Sequence, residues 1–378
     1  MVIATRWIWQ HPDWPEFTWQ QDQLESKLRD IHQLQGRLLG RMEGAVGEAS
    51  LQSEMDALLH NAINTAAIEG ERLDVDSVRS SLARRLGLDR AGLPPGTPKT
   101  DGLVDLLLDA THNYQEPLTT ERLFRWHKAL FPYGQSGLTP IRVGELRGED
   151  VMQVVSGAIN NPTVHFEAPP RDLLPEELEA FVGWFNQSRS KSKLDPLLRA
   201  GITHLWFVTL HPFDDGNGRI ARALSDLALA QAEHHSVRFY AVATVIMAQR
   251  QAYYRVLEKT QRHGMDITDW LSWFLESLQQ ALQEALDKIQ LILLKSRFWQ
   301  QHAATVLNPR QIKVLNRLLD AGPEGFQGGL NARKYMGMTK TSKATATRDL
   351  TDLLEKGFLR KASAGGRSTH YEIRWPVA

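Results

Sequence analysis

The chain has 378 residues, enough for two or three domains, and its 42% hydrophobic and 23% charged content is typical of a soluble globular protein. It contains no cysteine, which excludes disulfides, thiolate zinc sites and a cysteine nucleophile. No apolar run approaches the ~18–20 residues of a membrane span, and the N-terminus lacks the pattern of a secretory signal. We therefore expect a cytoplasmic protein with no membrane partner.

The net charge of zero conceals an uneven distribution of charged residues. Residues 296–378 hold 14 of the 44 Lys and Arg residues but only 6 of the 44 Asp and Glu residues. An acidic body joined to a basic tail indicates different partners for the two parts.

The N-terminal segment is rich in tryptophan, including Trp7 and Trp14. Because burial of such rings is favourable, we interpret it as an aromatic arm packed on the core; an exposed aromatic partner site is the alternative. Residues 21–86 follow with apolar side chains three and four positions apart, such as Leu24 and Leu28, which predicts helices.

The stretch 92–100 is rich in Pro and Gly and predicts a loop. Helices are predicted beyond it at 103–113, 120–130 and 175–185. Residues 151–166 lie between the last two and carry valines and threonine that favour extended structure, which predicts a β-hairpin in a helical protein.

Residues 211–222 read HPFDDGNGRIAR and join an apolar segment to one rich in Ala and Leu, both with helical character. The glycines allow a tight turn and close approach to a ligand. The start of the second helix offers unpaired N–H groups and the positive end of its dipole, which together bind anions. This junction is therefore a candidate phosphate site.

Side chains of the same junction supply matching chemistry. Arg219 and Arg222 are three residues apart, so both lie near one helical face and can grip phosphate oxygens. Asp215 can coordinate Mg²⁺, which prefers carboxylate and phosphate oxygens as ligands. His211 can act as a general base at neutral pH. These residues predict a site for a nucleotide polyphosphate with a base beside it.

The junction matches HPFx(D/E)GNGRxxR, the signature of Fic proteins, at every fixed position, and on this resemblance the chain is identified as a Fic-family adenylyltransferase. The resemblance implies a mainly α fold and transfer of AMP from ATP to a Tyr, Thr or Ser hydroxyl of a target protein, with Mg²⁺. It makes His211 the base that takes the target's proton and Asp215 the Mg²⁺ residue. The nucleotide contacts that it implies in the signature are Gly216, Asn217, Gly218, Arg219 and Arg222.

A second resemblance lies upstream of the signature. Residues 65–70 read TAAIEG and resemble the (S/T)xxxE(G/N) inhibitory motif of Fic proteins. In the family this glutamate, here Glu69, pairs with the second motif arginine, here Arg222, and blocks productive binding of the γ-phosphate. The alternative is an ordinary surface glutamate that ends a helix at Gly70.

Two further segments resemble parts of the Fic nucleotide pocket. The predicted hairpin resembles the Fic flap, which covers the nucleotide and holds the target segment by strand addition. Residues 251–258 resemble a downstream segment that closes the base and ribose pocket; Gln261 stands where family members often have an asparagine. The contacts implied by these two segments are Val155, Ser156, Gly157, Ala158 and Tyr253.

The basic tail predicts helices at 308–319, 330–336 and 342–356, a turn at 337–341, and two strands flanking Gly365 and Gly366. This order resembles a winged helix-turn-helix domain. Such domains bind DNA in some proteins and mediate protein contacts or dimerisation in others. The residues placed to contact DNA phosphates are Lys340, Lys343, Arg348, Lys361 and Arg367.

These interpretations give three domains: an N-terminal helical extension with the inhibitory helix (1–95), a Fic core with a β-hairpin flap (96–295) and a winged-helix domain (296–378). Two other functions stay open. Glu69 can orient a water, so that the same site removes AMP from a modified protein, or the chain can be a DNA-binding regulator with a vestigial Fic core. The intact signature argues against the second. Neither the target nor the oligomeric state, a homodimer included, can be read from the sequence.

Overall fold

The computed structural model describes residues 7–43, 48–88, 95–158, 161–190, 193–236, 239–262, 264–323, 325–326, 329–362 and 370–375. These residues are mostly helical, with three two-stranded antiparallel sheets, which confirms the predicted fold class. The chain divides into two compact units, Met1–Ala285 and Leu286–Ala378. No described helix is long and apolar enough to cross a membrane.

The helices that begin in the first unit are α1 (Gln21–Glu43), α2 (Glu48–Ile68), α3 (Val75–Arg85), α4 (Pro98–His112), α5 (Thr120–Leu130), α6 (Leu174–Gln187), α7 (Pro196–Leu210), α8 (Asn217–Glu233), α9 (Val242–Ala248), α10 (Arg250–Arg262) and α11 (Thr268–Gln301). Its strands are β1 (Gln135–Ser136), β2 (Thr139–Pro140), β3 (Gln153–Ala158) and β4 (Asn161–Glu167). Strand β1 pairs with β2, and β3 pairs with β4, so the predicted hairpin is confirmed.

Helices α7 and α8 form the centre of this unit, because nearly every side chain of both is buried. Small residues allow close packing there: a Cβ on Gly201 of α7 would lie 2.9 Å from the Leu271 side chain of α11. The Trp270 indole of α11 donates a hydrogen bond to the Gly201 carbonyl at 2.8 Å. The junction between α7 and α8 is therefore anchored at both ends in the core.

The N-terminal aromatic arm packs on the core, as predicted. Trp7 is 2% exposed and meets Phe166 of β4 edge to face, with ring centroids 5.5 Å apart. The Trp9 indole donates to the Glu167 carbonyl at 2.7 Å. Trp14 packs on Trp206 of α7 with centroids 6.1 Å apart. The arm thus joins the β3–β4 hairpin to the helical core.

Helix α4 begins earlier than predicted. It starts at Pro98 instead of residue 103, so the predicted loop at 92–100 extends too far; residues 89–94 lie outside the described part of the chain. The Thr97 side chain caps the helix by accepting from the Thr100 N–H. Proline is tolerated at the first helical position because the N–H that it lacks would have no helical partner there.

The second unit contains α12 (Pro309–Asp320), α13 (Ala332–Thr339), α14 (Lys343–Glu355), β5 (Leu359–Lys361) and β6 (Tyr371–Ile373), and β5 pairs with β6. It has its own apolar core, which includes Leu315, Tyr335 and Leu350. Asp349 of α14 joins the three helices: it accepts from the Tyr335 hydroxyl at 2.9 Å and from Arg310 Nε at 3.0 Å. The order of elements is the predicted one.

One prediction for the tail is wrong in part, and the predicted domain boundary stays a prediction. The turn placed at 337–341 is wrong in its first part, because α13 continues through Gly337 to Thr339, and only Lys340, with φ of 53°, turns the chain. The predicted domain boundary at 295/296 falls inside α11, whereas the two compact units divide between Ala285 and Leu286. Gly365, Gly366 and Arg367 lie outside the described residues.

Candidate active site

His211 ends α7 in a left-handed conformation, with φ of 48°. A non-glycine residue rarely adopts this conformation. The His211 N–H still donates to the Phe207 carbonyl at 3.1 Å, which ties the turn to the last turn of the helix. The core-anchored helix thus fixes the position of the histidine.

The contacts of the His211 ring define its proton state. Nδ1 lies 3.3 Å from the Val208 carbonyl, which can only accept, so Nδ1 carries the proton. Burial lowers the pKa of His211 below the usual histidine value, and the nearby Arg147 lowers it further. The ring is therefore neutral at neutral pH, and Nε2 keeps the lone pair that a general base needs.

Asn217 begins α8 and holds the preceding loop in shape. Its side-chain oxygen accepts from the Phe213 N–H at 3.0 Å, and its side-chain nitrogen donates to the Phe213 carbonyl at 2.8 Å. Gly216 before it has φ of 83°, and a Cβ there would lie 2.9 Å from the Phe131 ring. Because the Asn217 amide is used inside the loop, its predicted nucleotide contact rests on its backbone N–H.

Arg222 is 4% exposed and is held by the end of α2. Its Nε donates to the Thr65 hydroxyl at 2.6 Å, and its Nη2 donates both to the Thr65 carbonyl at 3.0 Å and to Glu69 Oε1 at 2.6 Å. The Glu69 carboxylate lies so close to Gly218 that any Cβ at that position would clash with it. The structure thus brings together Glu69 and Arg222, the pair that the inhibitory resemblance implies, and adds Thr65 from the same motif.

Arg219, which is 5% exposed, pairs with a carboxylate that the sequence analysis did not single out. Its Nη1 lies 2.9 Å from Glu71 Oε2, and the other oxygen of Glu71 pairs with Lys99. The Arg219 guanidinium also lies over the Phe131 ring, 4.9 Å from the centroid, and 3.7 Å from Asp215 Oδ2. Each signature arginine therefore contacts a glutamate from the segment after α2.

Both arginines also carry a buried N–H group for which the described residues supply no hydrogen-bond acceptor: Nε of Arg219 and Nη1 of Arg222. A buried charged donor without an acceptor is costly and needs an explanation. An anion bound at the junction would supply the missing acceptors.

Two parts of the chain match known family models. Residues 117–229 match the family model described as the Fic/DOC family, which includes the whole α7–α8 junction. The chain contains a Fic/DOC family domain. Residues 7–88 match a second model, described as a domain of unknown function (DUF4172), which spans the aromatic arm and helices α1 to α3.

Curated relatives of the Fic domain include nucleotidyl transferases. A uridine 5'-monophosphate transferase from Xanthomonas campestris is 34% identical over 117 residues, which cover 30% of this chain and 21% of the relative. A protein adenylyltransferase Fic from Drosophila ananassae is 26% identical over 232 residues, which cover 61% of this chain and 42% of the relative. The chain thus spans less than half the length of either relative.

Solved structures show the same fold. A Fic family protein from Desulfovibrio desulfuricans superposes with a TM-score of 0.50 at 20% identity, covering 92% of this chain and 95% of that one. A Fic-domain signaling protein from Bacteroides thetaiotaomicron also gives 0.50, at 17% identity, covering 68% of this chain and 98% of that one. At these identities the likeness supports the fold alone.

His127 of α5 supports the Fic signature loop from behind and was missed by the sequence analysis. Its Nδ1 accepts from the Gly144 N–H at 3.1 Å, so Nε2 carries the proton and donates to the Asp215 carbonyl at 3.1 Å. The ring stacks on Phe213 with centroids 4.1 Å apart. The Asp215 carbonyl and the Gly216 N–H share one trans peptide and point in opposite directions. The bond from His127 to the carbonyl therefore points the Gly216 N–H away from His127.

Arg147 supports the same loop and was also missed. It is 1% exposed; its Nε donates to the His211 carbonyl and its backbone N–H to the Pro212 carbonyl, both at 2.9 Å. A further bond to the Pro169 carbonyl fixes the guanidinium. The sequence does not single out His127 or Arg147, because a helical histidine and a loop arginine are both common on protein surfaces.

We expect His127→Phe to lower the free energy of unfolding by about 1–3 kcal/mol for each buried group left without its partner. Phenylalanine can keep the stacking on Phe213 but bonds neither Gly144 nor Asp215. His127→Gln is the matched control, because glutamine offers both an acceptor and a donor. Urea unfolding of the three proteins measures the effect; equal loss in both variants would assign the role to ring packing.

The difference in unfolding free energy between the wild-type protein and His127→Phe should depend on pH. Burial lowers the pKa of His127 from 6.5 to about 4. Because the unfolded chain binds this proton more readily, the stability contributed by His127 is present above pH 6.5 and is lost as the pH falls towards 4. His127→Phe has no such group to protonate, so it should not lose this stability at low pH. The unfolding free energies of the wild-type protein and of His127→Phe should therefore become more similar as the pH falls.

Asp215 is the candidate Mg²⁺ residue of the Fic domain. Its carboxylate is 37% exposed and accepts from the Ser136 hydroxyl and, at 2.5 Å, from the Gly216 N–H. The described residues contain no group of three or more acidic or histidine side chains suited to a metal. A single carboxylate fits Mg²⁺, which usually takes its remaining ligands from water and substrate phosphates.

The other predicted nucleotide contacts lie on two elements. Strand β3 of the hairpin, here called the flap, carries Val155, Ser156, Gly157 and Ala158. The Ser156 hydroxyl bonds His165 Nε2 at 2.6 Å, and His165 Nδ1 contacts Glu258 of α10 at 2.8 Å, which ties the flap to that helix. Nucleotide binding by the four strand residues stays a prediction.

Tyr253 of α10 is 1% exposed, and its hydroxyl bonds His204 Nε2 at 2.9 Å inside the core. The neighbouring Tyr254 is 38% exposed and donates to the Ile68 carbonyl at 3.2 Å. Gln261 is buried and donates to the Thr209 hydroxyl at 3.0 Å. A base or ribose contact by Tyr253 stays a prediction.

Proposed function

We propose that the chain transfers AMP from ATP to a Tyr, Thr or Ser hydroxyl of a target protein. The observation that carries this proposal is the placement of a neutral His211, with its Nε2 lone pair available, on the same junction as two buried arginines that each keep an N–H without an acceptor. The Fic/DOC match over residues 117–229 and the adenylyltransferase relatives support it.

In this proposal His211 Nε2 takes the proton from the target hydroxyl as its oxygen attacks the α-phosphorus of ATP. The bond from that phosphorus to the bridging oxygen breaks, and pyrophosphate leaves. Arg219, Arg222 and the N–H groups at the start of α8 stabilise the negative charge that grows on the phosphate oxygens. Asp215 would hold Mg²⁺, which neutralises phosphate charge when it is bound.

We further propose that Glu69 inhibits this reaction. Its carboxylate pairs with Arg222 at 2.6 Å and lies against Gly218, which supports the proposal that it competes there with the γ-phosphate of ATP. The protein as it stands should then have weak transfer activity.

The nucleotide itself is a separate question, because the Xanthomonas relative is named as a uridine 5'-monophosphate transferase. The test is to incubate the protein with Mg²⁺, a cell lysate and either ATP or UTP labelled at the α-phosphate. Label from ATP on protein supports AMP transfer, and label from UTP alone would replace AMP by UMP in the proposal.

The second unit is proposed to bind DNA. Lys340, Lys343, Arg348 and Lys361 are all exposed, on or next to α13, α14 and β5. We expect the full chain to retard duplex DNA, with binding that weakens steeply as salt rises. The double variant Lys343→Glu, Arg348→Glu should reduce retardation and the salt dependence together. Absence of retardation even in low salt would favour a protein-contact role.

A further inference from the structure

The segment that follows α2 carries two acidic residues, Glu69 and Glu71, on either side of Gly70. Gly70 has φ of 82°, its N–H donates to the Ala67 carbonyl at 3.0 Å, and the Glu71 N–H donates to the Ala66 carbonyl at 3.0 Å. This pair of bonds around a left-handed glycine is the Schellman motif that ends many helices. It fixes the backbone of both glutamates relative to α2.

The two carboxylates contact different arginines of the Fic signature. Glu69 pairs with Arg222 at 2.6 Å, and Glu71 pairs with Arg219 at 2.9 Å. The Glu71 side chain is 18% exposed and that of Arg219 is 5% exposed, so water screens this second pair only partly. Lys99, in the first turn of α4, holds the other oxygen of Glu71.

Arg219 has two further contacts besides Glu71. Its guanidinium lies 4.9 Å from the centroid of the Phe131 ring, and its Nη2 lies 3.7 Å from Oδ2 of Asp215 in the loop before α8. The Glu71 carboxylate occupies the Nη1 donor of Arg219 and offsets part of its charge. A phosphate oxygen at Nε of Arg219, which has no acceptor among the described residues, meets a guanidinium whose charge Glu71 partly offsets, and one that reaches Nη1 must displace Glu71.

We propose that Glu71 is a second carboxylate that sets nucleotide affinity, by competing with the polyphosphate for Arg219 as Glu69 is proposed to compete for Arg222. This inference rests on the proposed nucleotide site. It has a direct consequence: removal of Glu69 alone leaves Arg219 engaged, so full release of the site requires the loss of both carboxylates.

The test is calorimetric titration of the full-length protein with ATP, inorganic tripolyphosphate and adenosine. We expect Glu71→Gln to bind ATP and tripolyphosphate about threefold to tenfold more tightly, since glutamine removes the charge but keeps an acceptor. Glu71→Ala should show a larger gain. Adenosine, which has no phosphate, should bind as before. The double variant Glu69→Gly, Glu71→Gln should bind ATP more tightly than either single variant.

Asp76→Asn is the matched control, because it removes the same charge from an exposed pair with Arg79 in α3. Polyphosphate affinity in Glu71→Gln equal to that in Asp76→Asn would overturn the inference. Weaker binding would also overturn it and would make Glu71 a residue that positions Arg219. If Glu71→Gln binds tripolyphosphate more tightly but no variant transfers AMP, the proposed reaction is wrong and the role of Glu71 stands. If Glu69→Gly transfers AMP but Glu71→Gln has no effect on binding, the proposed reaction stands and the role of Glu71 is wrong.

Discussion

His211→Ala should lower AMP transfer by about 10²–10⁴-fold, the usual cost of losing a general base, and should leave ATP affinity largely unchanged. The reason is that Nε2 of His211 acts on the target hydroxyl, whereas the phosphates contact the arginines and the start of α8. Labelled AMP transfer and ATP titration measure the two effects separately. Unchanged transfer by the variant would remove His211 from the mechanism.

The chain provides a matched control for this substitution. His234 ends α8 in the same left-handed conformation, with φ of 51°, but it is exposed and lies at the far end of that helix from the signature. His234→Ala should therefore reproduce any backbone cost of replacing a histidine at a helix end without affecting transfer. Because burial lowers the pKa of His211, we also expect the acid limb of the rate profile to lie below the usual histidine pKa of 6.5.

Glu69→Gly should raise auto-modification and ATP affinity together, by about tenfold to a hundredfold if one charged hydrogen bond in a partly buried site is released. The end of α2 positions Glu69 next to Arg222, so moving the carboxylate away from the arginine costs free energy in the wild-type protein. Transfer of label from ATP and calorimetric titration follow the two quantities.

Arg222→Ala is the informative control, because it removes the inhibitory pair and the proposed γ-phosphate contact at once. It should not reproduce the gain of Glu69→Gly. Activity that stays flat or falls in Glu69→Gly would reject the inhibitory role. Loss of AMP removal from a modified target in that variant would instead support the alternative in which Glu69 orients a water.

The sequence predicted those parts of the site that depend on local pattern. The order of helices follows from apolar spacing, and the junction at 211–222 follows from residue types that phosphate chemistry requires. The contact between Glu69 and Arg222 was predicted only through the resemblance to Fic proteins, since 153 positions separate the two residues.

The residues that were missed act through tertiary contacts. His127 and Arg147 donate hydrogen bonds to backbone carbonyls of the loop. Every residue has a backbone carbonyl, so the sequence does not show which carbonyl accepts such a bond. Glu71 was missed because an acidic residue after a helix-ending glycine is ordinarily a surface residue; only the packing of α2 against α8 brings it to Arg219. The two hydrogen bonds by which the Asn217 amide closes the loop on Phe213 were also not predicted, because they too join a side chain to backbone groups.

The central claim, nucleotidyl transfer at the α-phosphorus, is tested most directly by incubating Glu69→Gly with Mg²⁺ and ATP labelled either at the α- or at the γ-phosphate, with His211→Ala in the same background as the control. We predict label on protein from the α-phosphate only, and its loss in the control. Label from the γ-phosphate, or α-label that persists without His211, would contradict the proposed function.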